Sequence, residues 1–357
     1  MSSTRALFYG TETIVGDVLA TSIGTGSTWL DALVSSLAPG QRAAVALPFG
    51  SKQPAIAHTL APADTSPLAM PNSEPSPRHT VIERPTVTEY ADNVRAALGF
   101  IQAGIVEKVV LGRGVDVISD PPLDASDVIA RLLRQRPGRY VFGVPLTGRP
   151  NGPVLVGASP ELLARRQGRI LTSLPLAGSA PRSDDPTLDR RRCEQLLDSA
   201  KDLTEHAFVV EQIMAALEPI CIEIVADPQP RLVSTDTLHH LGTQIQARLT
   251  EGNGGLSALH LACLLHPTPA VGGVPTAAAL GVITELEEED RGPLAGAVGW
   301  VDADGNGEFA VTIRAGVLDG ERLRLFAGAG IVAGSDPETE VRETTAKLTT
   351  MMKAVGL

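Results

Sequence analysis

Lysine is scarce in this chain. Of its 30 basic residues only Lys52, Lys108, Lys201, Lys347 and Lys353 are lysine, and the other 25 are arginine. Aromatic residues make up 3% of the sequence, so leucine, valine, isoleucine and alanine must fill the core that a 43% apolar content supports. There are three cysteines, Cys193, Cys221 and Cys263, odd in number and far apart. That pattern excludes a disulfide framework and a zinc-finger spacing, and it suits free thiols in a reducing compartment. No apolar run approaches the length of a membrane span. The first twenty residues lack the charged start and clean apolar stretch of a signal peptide, with Asp17 interrupting them. A cytoplasmic protein is the expectation. The net charge of −11 argues against nucleic acid or an anionic membrane as the main partner. It leaves room for a small anionic substrate in a locally positive site.

The scarcity gives each lysine meaning. Arginine stays charged in proteins, whereas lysine can lose its proton when buried or placed beside another cation. Lys108 lies in Val106-Glu107-Lys108-Val109-Val110-Leu111, a β-branched run that reads as a strand entering a core. A lysine there is either a snorkelling edge residue or a buried base.

A length of 357 residues suggests about two domains, though single mixed folds reach this size. Residues 61–78 are rich in Pro and Ser without periodicity. They read as an exposed loop that ends an N-terminal part (1–80) and leads into a main body (81–357). Val87, Val94, Leu98 and Ile101 predict a helix over 86–103. A helix over 126–134 follows, then strands over 140–144 and 154–156. Residues 162–166 and 169–174 predict a hairpin turned by Gln167-Gly168. Helices are expected over 188–197 and 203–217. Strands return over 294–302 and 308–315, with a turn at 305–307, and over 323–326. A last helix starts with Asp336 as N-cap and Pro337 at its first position. Hairpins mixed with separate long helices indicate an α+β fold with largely antiparallel sheet.

Asp202 and Glu205 stand three apart on one predicted helix, Glu340 and Glu343 three apart on another. Residues at i and i+3 share a face, so each pair repels by roughly 0.2–0.5 kcal/mol. Solvated acidic faces are common in acidic proteins. These pairs, however, sit among Phe208, Val209 and Val210 in one helix and Val341 and Leu348 in the other. Facing each other, four carboxylates without His or Cys would suit Mg2+.

Two motifs mislead. Asp302-Ala303-Asp304-Gly305-Asn306-Gly307 copies the first half of an EF-hand loop, but Ile313 stands where the bidentate glutamate belongs. It reads as a hairpin turn. Gly328-Ala329-Gly330 through Gly334 imitates a dinucleotide loop, yet position 350 is Thr where an acid is needed and too little chain remains for a full unit. A glycine loop offering amides to another anion stays open.

Several segments together resemble one family. They are Glu107-Lys108-Val109-Val110-Leu111, Gly157-Ala158-Ser159-Pro160-Glu161-Leu162-Leu163, Pro175-Leu176-Ala177-Gly178-Ser179-Ala180 and Lys201-Asp202-Leu203-Thr204-Glu205-His206. Further along come His240-Leu241-Gly242-Thr243, Leu265-His266-Pro267-Thr268-Pro269-Ala270, Val311-Thr312-Ile313-Arg314, Ala327-Gly328-Ala329-Gly330 and Glu340-Val341-Arg342-Glu343-Thr344. In this order the set resembles the chorismate-utilising enzymes, which include isochorismate synthases, salicylate synthases and the anthranilate synthase large subunit. The resemblance runs from about residue 85 to the C-terminus. It implies two α/β lobes around large antiparallel sheets with the active site between them, and it leans towards a monomer. It implies Mg2+ held directly by Glu205 and Glu343, with Asp202 and Glu340 acting partly through water. It also implies a chorismate site that includes Gly178, Ser179, His240, Thr268, Arg314, Gly328, Gly330 and Lys347.

Within the family, the resemblance makes Lys108 the base that activates water and Glu161 the acid that protonates the departing hydroxyl. That chemistry needs Lys108 uncharged and Glu161 protonated, against reference pKa values of about 10.4 and about 4.3. Burial moves both the required way. Anthranilate synthases lack the lysine matching Lys108, and aminodeoxychorismate synthases carry a nucleophilic lysine where this chain has Ala177. Water is therefore the expected nucleophile and isochorismate the expected product. The segments around His266 and Phe326 look more like isochorismate synthases of siderophore or menaquinone pathways than like salicylate synthases, which go on to eliminate pyruvate. A chorismate-binding protein without catalysis is a further alternative.

Overall fold

The computed structural model describes residues 5–50, 52–61, 78–135 and 139–357. In chain order the first elements are β1 (Arg5–Tyr9), β2 (Thr13–Gly24), α1 (Gly26–Ser36), β3 (Arg42–Leu47), β4 (Ala55–Leu60) and β5 (Arg78–Arg84). Then follow α2 (Val87–Gln102), β6 (Lys108–Asp120), α3 (Ala125–Gln135), β7 (Tyr140–Pro145), β8 (Val154–Ser159), β9 (Leu162–Gln167), β10 (Ile170–Leu174) and β11 (Leu176–Pro181). The middle holds α4 (Pro186–Leu197), α5 (Ala200–Leu217), β12 (Cys221–Ala226), β13 (Arg231–Ser234), β14 (Leu238–Gly242), β15 (Ile245–Leu249), α6 (Ala258–Leu265), β16 (Gly273–Val274) and α7 (Thr276–Leu286). The chain closes with β17 (Ala297–Asp302), β18 (Gly307–Val311), β19 (Ala315–Asp319), β20 (Arg322–Val332) and α8 (Pro337–Ala354).

Among the described residues seventeen strands form one connected system and β11, β14 and β13 a separate small sheet. One half of the large system runs β5-β6-β20-β19-β8-β7-β1-β2, each pair antiparallel. The other runs β2-β4-β3-β17-β18-β9-β10-β15-β12, again antiparallel. Strand β2 belongs to both, its start paired with β1 and its end with β4. The fold is the expected α+β with antiparallel sheets, and the N-terminal strands β1, β3 and β4 are woven into both halves. Among the described residues no helix is long and apolar enough to cross a membrane.

Strand β6 is buried without interruption from Lys108 to Val117. Both its faces are covered, so the alternation of a half-solvated strand is missing. This excludes the snorkelling reading of Lys108. It has no edge to snorkel from and is 0% exposed. Beside it Leu111 and Ile331 are packed in the same core, where truncation to alanine costs about 2–5 kcal/mol.

Most predicted elements are present, with helix starts set by caps. Thr86 and Glu89 form a capping box on α2. Asp185, Ser199 and Asp336 accept backbone N–H bonds at the starts of α4, α5 and α8. Helices α4 and α5 therefore begin earlier than their apolar spacing predicts. The β9–β10 turn lies one residue later than expected, with Gly168 at φ +59°. The Asp302–Gly307 segment is a hairpin turn between β17 and β18, as expected. Three expectations are corrected. Gly328 and Gly330 are not in a loop but inside β20, which continues from Arg322 to Val332. The strand expected over 308–315 is broken at 312–314. The strand expected to begin at 294 begins at Ala297, because Ala295 has φ +58°. Of the Pro/Ser-rich stretch, residues 62–77 lie outside the described residues, and Arg78 already belongs to β5.

Candidate active site

A pocket lies where β20, β11, β14 and the 312–314 kink converge. Glu161, Gly178, Ser179, Glu205, His240, Arg314, Gly328, Gly330 and Lys347 all line it, so nine residues expected to act together do meet. Lys108 is packed just behind this wall. Its Nζ is 3.0 Å from Glu205 Oε1. That is an ion contact by distance, although the angles fall outside those of a hydrogen bond. Thr268 is not on the wall. It is buried with its hydroxyl unpartnered among the described residues, and Ala270 and Val271 line the pocket instead. The turn after Pro267, where Val271 and Gly272 donate their N–H groups to the Thr268 carbonyl, brings those two residues forward.

The strand position of Gly328 and Gly330 has a consequence for binding. Opposite them on β6, Gly112 donates its N–H to Glu287 and Val110 to the Gly272 carbonyl. These are therefore non-hydrogen-bonded pairs of the antiparallel ladder, and the amides of Gly328 and Gly330 point away from β6. Among the described residues no strand pairs β20 on that side beyond Leu325. The Gly328 carbonyl there accepts from Lys347 Nζ at 2.9 Å. A Cβ on Gly330 would fall 2.1 Å from Glu205 Oε1, so a side chain there would push that carboxylate aside. Gly178, at φ +76°, faces the Asp202 side chain in the same way.

The four carboxylates come from the first two turns of α5 and α8, with Asp202 and Glu340 in the first turns, where the positive helix ends partly offset their repulsion. The two helices meet through Lys201, whose Nζ is 2.6 Å from Glu340 Oε1. Glu340 is 0% exposed. Its Oε2 makes no hydrogen bond among the described residues, although the Ser335 hydroxyl is near. Burial and the neighbouring Glu343 push its carboxyl up, against the pull of Lys201. Asp202 is raised by burial and by Glu205 and Glu343. Glu343 contacts Lys347 at 2.5 Å. Three of the five lysines thus answer three of the four acids. No three donors stand in a preformed ligating cage among the described residues. The donor set nevertheless fits a hard cation: it is all oxygen, its charges are felt mutually, and one buried carboxylate oxygen is unsatisfied.

The other side of the pocket is positive or neutral. Arg314 has φ +51° and is buried. Burial lowers its pKa to about 10, which leaves it charged near neutrality. None of the hydrogen bonds or ion pairs among the described residues involves its guanidinium. His240 Nδ1 is 2.8 Å from the Ser179 hydroxyl. Burial, with Arg314 and Lys347, holds its pKa well below the usual histidine range, so the ring is neutral. Its Nε2 has no hydrogen-bond partner among the described residues. Glu161 is 2% exposed, and burial raises its pKa to about 7, opposed by the Leu176 N–H and the charges of Lys108, Arg314 and Lys347.

Sequence reasoning missed three residues. Lys201 carried the same scarcity signal as Lys108. Thr312 sat inside a quoted motif without a role. Arg291 gave no signal. It lines the pocket, donates to the carbonyls of Val271 and Val110, pairs with Glu287, and lies 5.0 Å from the Phe326 ring centroid.

Comparison with known proteins agrees with this geometry. A family profile described as chorismate binding enzyme matches residues 52–356. Isochorismate synthase DhbC of Bacillus subtilis is 42% identical over 276 residues, spanning 76% of this chain and 69% of that one. Isochorismate synthase EntC of Escherichia coli K12 is 42% identical over 322 residues, spanning 87% and 80%. The crystal structure of DhbC from Bacillus anthracis, assigned as a 2,3-dihydroxybenzoate-specific isochorismate synthase, has a TM-score of 0.91 at 36% identity and covers 99% of this chain and 96% of that one. With the fold, the pocket and these relatives in agreement, the chain belongs to the family of chorismate-binding enzymes.

Proposed function

We propose that this protein is an isochorismate synthase: it adds water at C2 of chorismate and releases the C4 hydroxyl as the ring double bonds shift. The observation that carries the reading is the state of Glu161. A carboxyl group with a pKa near 7 is substantially protonated at neutral pH and can give its proton to a leaving oxygen. Lys108 takes the proton from the attacking water. Its buried amine contacts Glu205 of the carboxylate cluster, and its charge is felt at Glu161. Arg314 and Lys347 bring positive charge for the second carboxylate, and the Gly328 and Gly330 amides line the same side. Neutral His240 offers Nε2 to the ring or its departing group without adding charge.

The same reading has Glu205 and Glu343 holding Mg2+ directly and Asp202 and Glu340 through water. When bound, the cation would neutralise the ring carboxylate and fix the ring. The three free cysteines suit a cytoplasmic enzyme, which we take to act as a monomer on a free small molecule.

Incubation with chorismate and Mg2+ should yield isochorismate without pyruvate, and chelation should stop the reaction reversibly. Stoichiometric pyruvate would make the protein a salicylate synthase. Saturable chorismate binding with no product over hours would make it a binding protein.

A further inference from the structure

Two polar atoms of the pocket wall are buried without any hydrogen-bond partner among the described residues: His240 Nε2 and Thr312 Oγ1. The second has no role in the reading above. Thr312 is 1% exposed, and its hydroxyl can both donate and accept. A buried hydroxyl left unpaired is unusual in a folded protein and calls for an explanation.

The local backbone is built to present it. The Thr312 N–H donates to the Gly296 carbonyl, and the Thr312 carbonyl accepts from Ala295, both at 2.8 Å. Gly296 leaves no room for a side chain, since a Cβ would meet the Leu47 carbonyl at 2.1 Å. One side of Thr312 is therefore locked. On the other, Ile313 donates its N–H back to Val311 at 2.8 Å and Arg314 takes up its left-handed φ. In a regular strand Ile313 would point to the opposite face. Here Thr312, Ile313 and Arg314 all line the pocket. Backbone held in a sparsely populated region persists where surrounding structure enforces it, commonly at ligand clamps.

We propose that Thr312 and Arg314 form one clamp on a substrate carboxylate, with the Thr312 hydroxyl donating to one oxygen while the Arg314 guanidinium meets the charge. The inference rests on the pocket being the chorismate site and adds Thr312 as a binding residue. It explains why both groups lack partners among the described residues and why the chain kinks between them. Ser179, by comparison, spends its hydroxyl on His240.

The clamp predicts opposite effects on the free protein and on binding. Thr312→Val keeps the shape and removes an unsatisfied polar group, so the melting temperature without ligand should stay the same or rise. The KM for chorismate should rise about ten-fold with kcat within about three-fold, as expected for one hydrogen bond to a charged group. The chorismate-induced rise in melting temperature, measured with Mg2+, should shrink accordingly. Thr312→Ser should restore both within about three-fold. The clamp is overturned if Thr312→Val binds chorismate like wild type, or if its unliganded melting temperature falls, which would reveal a structural role. If wild type itself shows neither turnover nor a chorismate-dependent shift, the chorismate reading fails and the clamp with it. If wild type shows both and Thr312→Val matches it, only the clamp fails.

Discussion

The two sides of the pocket treat their polar groups differently. At the α5–α8 end the acids have partners: Glu205 has Lys108, Glu340 has Lys201 and Glu343 has Lys347. On the side built by β14 and the 312–314 kink, His240 Nε2 and the Thr312 hydroxyl are unpartnered among the described residues, and Arg314 forms no ion pair with any of them. The difference shows how a protein carrying 41 acidic residues can hold an anion. One end offsets Glu340 and Glu343 with Lys201 and Lys347, which weakens the repulsion those acids exert on a dianion across the pocket. The other leaves its donors for the ligand. Arginine would serve poorly at the first end, because its broad, permanently charged fork cannot share an amine between a carboxylate and a proton-transfer role.

The largest effect should come from breaking the Lys108 contact. Lys108→Ala should lower kcat by about 10³-fold or more while circular dichroism stays native, and Lys108→Arg should not rescue it. Full activity in the arginine variant would exclude proton transfer at this position. Next is Glu161. Its raised pKa means that the folded protein keeps a proton there which the unfolded chain has lost. Between about pH 4.5 and about 7 the unfolded state binds fewer protons at this group, so its contribution makes stability fall as pH rises, by about 3 kcal/mol in all. Glu161→Gln should flatten that fall in denaturant titrations across the range and lower kcat by about 10²-fold or more. In wild type, kcat should decline as pH rises through about 7.

Lys201→Met tests the balanced end. It leaves Glu340 buried without its cation and should destabilise the protein by about 2–3 kcal/mol in urea unfolding, the exposure of Lys201 placing it below a fully buried pair. An unchanged midpoint would mean that Glu340 is neutral without the lysine. The smallest effect is Gly178→Ala. Its left-handed φ costs about 1–2 kcal/mol for any residue with a Cβ, and the new methyl would press on Asp202. A variant as stable as wild type would show that β11 can shift away.

Local sequence carried much of this. The caps of α2 and α8, the hairpins and the i,i+3 acidic pairs depend on interactions between residues a few positions apart. Lysine scarcity pointed to Lys108 and, followed further, would have pointed to Lys201. The errors have physical causes. Gly328-Ala329-Gly330 read as a loop because glycine fits either state, and only the pairing with β6 makes it a strand. Val311-Thr312-Ile313-Arg314 read as plain strand because its β-branched residues favour one, and the kink is imposed by hydrogen bonds to Ala295 and Gly296. Thr268 was placed on the pocket wall because its motif was visible, while the turn that presents Ala270 and Val271 was not.

The sequence alone determined which residue types were available for chemistry and how each short segment would fold, because propensity, capping and charge spacing act over a few residues. Tertiary structure decided what those residues became. It brought α5 and α8 together through Lys201, removed water from Glu161 so that its proton stays, and left Thr312 and Arg314 without partners in the wall. Burial and long-range approach set those outcomes, and both are properties of the assembled core.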